Sequence, residues 1–158
     1  MWWIASALAA PPGSLAGTWV YSGGETEKAA RDAAVEATAA TFNFAFRPIA
    51  RGKLAKVAVH DETITIDGDD ESVVLVFRGG NDRESRGPSS GEPVDVRGAA
   101  VRFELVPDKT LTVTGETSDG GKKSVYTLTG PSTMKVSYEV WSGMLSEPMR
   151  WTLSYTRK

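Results

Sequence analysis

From residue 63 onward the chain alternates apolar and polar side chains with a period of two, broken at short intervals by turn residues. That pattern constrains the fold more than any other feature, because side chains that alternate in this way line one face of a half-buried strand. Residues 63–67 and 72–77 flank an Asp67-Gly68 turn signal. Residues 99–106 and 110–114 flank Pro107-Asp108-Lys109, and 122–129 follow Asp119-Gly120-Gly121. Residues 132–141 and 149–156 form the last two strands, joined by a longer loop. With a first strand over 15–21 and a short one around 93–96, the pattern predicts eight to ten strands in sequential hairpins. Regularly spaced short strands of this kind make a sandwich or an up-and-down barrel. The remaining polar stretch, residues 79–98, reads as a mobile surface loop.

One block departs from this period. Over residues 25–41, Ala30, Ala33, Ala37 and Ala40 recur at the spacing of one helix face, and Glu25 and Glu27 suit the positive end of the helix dipole. An alanine stripe buries little area, so the helix is expected to lie close against something flat. Phe42, Phe44 and Phe46 then alternate, as in an extended stretch or a helix-to-helix corner. Residues 48–56 read as a second short helix with Pro48 in its first turn, although Gly52 disfavours it.

Composition narrows the chemistry. The 158 residues fit one domain, with residues 13–158 as a single barrel unit. Absence of cysteine excludes disulfides, thiolate metal sites and a cysteine nucleophile. His60 is the sole histidine, which makes a Ser-His-Asp triad or a multi-histidine metal site improbable, and it reads as a solvated turn residue beside Asp61 and Glu62. The formal charge of -2 offers no general attraction to nucleic acid. Asp67, Asp69, Asp70 and Glu71 lack the order of a calcium loop and read as a hairpin tip. Glu104, Glu139 and Glu147 are not paired as a hydrolase requires, so no catalytic residues, metal or cofactor are expected.

Residues 1–12 carry an apolar run with Ala7-Leu8-Ala9 as a cleavage-site match, but no basic residue precedes it. They read as the end of a secretory signal whose start is missing, which expects a periplasmic or secreted location. As an apolar arm packed on the domain, they would leave a cytoplasmic location open. The run is too short to span a bilayer, which takes about 20 residues.

Facing positions define an apolar wall. Val101, Phe103 and Leu105 share one face, as do Met134, Val136, Tyr138 and Val140, and Met149, Trp151, Leu153 and Tyr155. Residues 73–77 are apolar on both faces, as a central strand under a helix would be.

Gly17-Thr18-Trp19 on a first strand, followed by a helical pair and then hairpins to the end, resembles the calycin superfamily of lipocalins and fatty-acid-binding proteins. The resemblance implies an antiparallel up-and-down barrel of 8–10 strands with a helical lid after the first. It further implies barrel closure by Arg157 over Trp19, and a small hydrophobic or lipid ligand inside a monomer. Phe103, Tyr126, Met134, Tyr138, Trp151 and Tyr155 are the candidate ligand-binding residues, unless side chains fill the interior. Fatty-acid-binding proteins hold a carboxylate with an Arg-x-Tyr pair on the last strand. Here Leu153 stands two before Tyr155, so a neutral ligand is equally compatible. Arg47, Arg51, Lys53 and Lys56 form a basic cluster suited to an anionic membrane surface or simply to solvent. The alternative function is a protein-interaction module, such as a barrel-type protease inhibitor, inserting residues 79–98 or the N-terminal arm into a partner.

Overall fold

A computed structural model describes residues 14–106 and 109–158; the candidate signal or arm over 1–12 lies outside them. The elements are β1 (Gly17–Tyr21), α1 (Gly24–Ala39), α2 (Arg47–Val57), β2 (Thr63–Gly68), β3 (Ser72–Arg78) and β4 (Arg83–Pro88). They continue as β5 (Val94–Val96), β6 (Ala99–Val106), β7 (Thr110–Thr117), β8 (Gly120–Gly130), β9 (Thr133–Ser142) and β10 (Met149–Arg157). All ten strands share one antiparallel sheet in the order β4-β3-β2-β1-β10-β9-β8-β7-β6-β5, a nearly closed barrel. The predicted mainly-β, all-hairpin architecture with its helical insert after the first strand is the observed one.

β1 and β10 join the two ends of the hairpin series, with Trp19 opposite Arg157 and Tyr21 opposite Tyr155. β4 and β5 are sequence neighbours but not sheet neighbours. Below this gap the chain crosses over: Gly91 N–H donates to the Phe103 carbonyl and Leu105 N–H to that of Ser89.

Residues 79–98 therefore carry β4 in addition to the expected short strand, observed as β5, rather than a mobile loop. The inward positions of β4 are Arg83, Ser85 and Gly87, opposite Phe77, Leu75 and Val73, so the strand has no apolar period to betray it. Gly87 is required by packing, since a Cβ there would stand 2.6 Å from Phe103 Cδ2.

The helix face also differs from the expected one. Ala30, Ala33, Ala37 and Ala40 are exposed, whereas Val35 and Ala39 are buried. Methyl groups alone discriminate weakly between faces, and the one larger side chain, Val35, sets the orientation. α1 packs on α2 and on β10. No helix covers β3 as expected: Val73, Leu75 and Phe77 point into the barrel, and Val74 and Val76 are half-buried on the outside. α2 begins at Arg47, with Pro48 in its first turn. The three phenylalanines form the corner between the helices, where Phe44 and Phe46 are largely exposed.

The end of the barrel away from the helices is solid. Trp19, Ile64, Phe103, Leu111, Met134, Val136 and Leu153 are all fully buried there. Side chains of this size each stabilise the fold by roughly 1.5–3 kcal/mol when buried.

Candidate functional site

Toward the helical end the inward side chains change character. Along β8 the inward series runs Lys122, Ser124, Tyr126, and it faces Arg83 and Ser85 of β4 across a cavity of about 440 Å3. Leu75, Phe77, Val96, Val101 and Val113 supply its apolar walls. Its lining residues come from the β3–β4, β5–β6 and β7–β8 hairpins, so the opening lies beside the gap between β4 and β5, not beneath the helices.

Asp61, buried just before β2, organises the polar side. Arg83 donates from Nη1 to its Oδ1 at 3.0 Å and from Nη2 to its Oδ2 at 3.1 Å, a two-point charged contact. The guanidinium also lies 3.7 Å from the centroid of the Phe77 ring. Tyr155 donates its hydroxyl to the Asp61 carbonyl at 3.1 Å, tying β10 to this segment.

Lys122 is the second cation. Its ammonium lies 5.0 Å from the Tyr138 ring centroid and 5.5 Å from that of Trp151, and donates to the Val57 carbonyl at 3.3 Å. Burial, and then the Arg83 charge, push its pKa down to about 8. Tyr126, Tyr138 and Tyr155 are shifted upward, chiefly by burial, so their hydroxyls stay protonated as donors. Trp151 Nε1 and Ser89 Oγ are buried polar atoms with no hydrogen-bond partner among the described residues.

The six candidate ligand-binding residues fall into two groups. Tyr126 lines the cavity. Tyr138 and Trp151 stack at 4.9 Å beneath Lys122, and Tyr155 stands by Asp61. Phe103 and Met134 are fully buried among the solid packing. Asp61, Arg83 and Lys122 join the site without a strong sequence signal. Lys122 shares the strand parity of Tyr126, which marks it as inward. Arg83 falls in the polar stretch 79–98, and Asp61 stands in a turn-like run of polar residues.

The other singled-out residues take structural positions. Arg157 stacks 4.3 Å from the Trp19 ring centroid and donates to the Ala16 carbonyl at 2.7 Å and to that of Ser14. His60 is half-buried instead of a freely solvated turn residue: Arg31 donates to its Nδ1 at 2.9 Å, and its ring lies 4.7 Å from that of Tyr21. Burial, then the charges of Arg31 and Lys28, lower its pKa. Asp69 closes its hairpin tip by accepting from the Glu71 and Ser72 amides. Arg51 pairs with Glu36, Arg47 donates to the Ala40 and Phe42 carbonyls, and Lys53 and Lys56 are exposed.

No protein-family model matches the chain, and no curated protein matches it significantly. Among solved structures, a mutant of the fluorescent protein UnaG superposes with a TM-score of 0.55 at 15% identity, over 91% of this chain and 96% of that one. The two chains share an antiparallel up-and-down β-barrel fold. A Schistosoma mansoni fatty acid binding protein in complex with arachidonic acid superposes at a TM-score of 0.51 and 19% identity, covering 90% of this chain and 95% of that one. At these identities the likeness concerns the fold alone.

Proposed function

We propose that this barrel binds, without converting it, a small apolar molecule carrying one anionic group. The observation that carries the reading is the charge balance inside the cavity. Arg83 and Lys122 face inward, and the Asp61 carboxylate already holds Arg83 at two points, which leaves Lys122 without an ion-pair partner among the described residues. A half-buried, unpaired cation of this kind is stabilised by an incoming anion. The apolar walls accept the rest of the ligand. A protein of the same fold is known with arachidonic acid bound, which agrees with this class of ligand. The inhibitor reading loses one of its inserting segments, since residues 79–98 are held in the sheet as β4 and β5.

Titration with the anionic probe 1-anilinonaphthalene-8-sulfonate tests the reading by fluorescence. Uptake at micromolar concentration is expected, with affinity falling as pH rises past about 8, where Lys122 loses its charge. Lys122→Met and Arg83→Met should each weaken the probe by roughly tenfold, the worth of one charged contact. No uptake by the folded protein would refute the reading.

A membrane surface is the partner favoured by a separate observation. Phe46, Ile49 and Met144 are exposed around a groove between α2 and the β9–β10 loop, and Phe44 is exposed in the corner between the helices. Lys53 and Lys56 stand on α2, which carries no acidic residue. Sedimentation with phosphatidylserine vesicles should carry the protein down, and Phe44→Ser with Ile49→Ser should abolish this. Equal binding to neutral phosphatidylcholine vesicles would argue against a role for the charges.

A further inference from the structure

Lys122 combines three circumstances that no other lysine of the chain shares. It is on the wall of the cavity, it lies against the faces of Tyr138 and Trp151, and its only hydrogen-bond acceptor among the described residues is the Val57 carbonyl. Besides burial, the charges that act on it are those of Arg83 on β4 and Asp61 before β2, while the rings of Tyr138 on β9 and Trp151 on β10 face its ammonium. Asp61, whose charge acts on it, is committed to Arg83.

We propose that Lys122 is a nucleophile that captures apolar aldehydes inside the barrel as a covalent imine. This rests on the cavity's being a ligand site, but asks more of it than non-covalent binding.

The neutral Nζ donates its lone pair to the carbonyl carbon, forming the C–N bond while the carbonyl oxygen takes up a proton. The nitrogen then releases a proton to water at the cavity mouth. The C–O bond breaks, the hydroxyl departs as water after protonation, the nitrogen lone pair completes C=N, and the resulting iminium gives its N–H proton back to water. Amine and aldehyde thus give imine and water, with no oxidant or reductant involved. A lysine whose ammonium gives up its proton near pH 8 supplies the neutral amine at roughly a fifth of molecules around pH 7.5, against about a thousandth for an ordinary lysine. The indole ring 5.5 Å from it carries a buried N–H with no hydrogen-bond partner among the described residues.

The test is to incubate the full chain with octanal and sodium cyanoborohydride, then measure intact mass and map the modified peptide. One octyl group on Lys122 is expected, with a rate at least about tenfold above that of its exposed neighbour Lys123 and half-maximal near pH 8. Lys122→Arg, which keeps the charge, should lose the adduct. Modification spread over surface lysines, or equal trapping in the folded Lys122→Arg protein, overturns the proposal. Anilinonaphthalene-sulfonate binding is measured on the same sample. Bound probe without trapping overturns the imine and leaves the binding reading intact, whereas loss of both overturns both.

Discussion

Arg157 serves two purposes with one guanidinium. Its face covers the Trp19 indole while its N–H groups hold the Ala16 and Ser14 carbonyls, so it seals the barrel floor and anchors the chain ahead of β1. Lysine has the charge but neither the plane nor the fork. Arg157→Lys should therefore cost about 1–2 kcal/mol in urea unfolding, and an unchanged midpoint would show that the stacking contributes nothing. At Gly87 the constraint is space. Gly87→Ala drives a methyl into Phe103 and should destabilise by about 1–3 kcal/mol in the same assay. Lys122 makes the opposite kind of contribution. Its folded pKa is about 8 and its unfolded value 10.5, so between these the unfolded chain binds more protons and stability rises with pH. Below pH 8 both states are protonated and the folded state carries a half-buried charge with no ion-pair partner among the described residues. Lys122→Met should melt higher than the parent at pH 7, and the difference should shrink by pH 9.5.

At the scale of elements, α1 is held to the barrel by polar tethers as much as by packing. Glu27 accepts from the Ser154 amide at 2.7 Å and from its hydroxyl at 2.5 Å, and Arg31 donates to His60. Glu27→Ala should raise amide exchange across 24–39 while the strands keep their protection; unchanged exchange would assign the docking to Val35 and Ala39 alone. Such tethers are invisible in a sequence, because Glu27 and Ser154 lie 127 positions apart. Strands with a strong inner face were legible: Phe103 with its neighbours, the Met134 to Val140 series and the Met149 to Tyr155 series all point inward as their period requires. β4 was not, because its inner face is Arg83, Ser85 and Gly87 and its role is to bring a cation and a space into the barrel. The helix was legible as a helix, but an alanine-rich surface has no strong face, and the partner decides which side is covered. The aromatic part of the site followed from strand parity. Its ion pair did not, since Asp61 and Arg83 belong to different segments and neither carries a local pattern.

For the molecule as a whole, the series of hairpins is local everywhere except at its seam. Each strand from β6 to β10 pairs with the one before it, but β1 has to wait for β10. The contacts that finish the barrel are Trp19 with Arg157 and Tyr155 with Asp61, and both join early residues to the last strand. α1 has the same dependence, since it packs on β10 and is pinned to Ser154. Non-local closure of this kind is slow compared with hairpin formation. On the ribosome, the first strand, the helical lid and both halves of the Asp61–Arg83 pair are therefore made long before the surface that holds them, and β1 emerges with one of its edges still waiting for a partner. The protein is a chain whose beginning stays provisional until its ninth and tenth strands arrive.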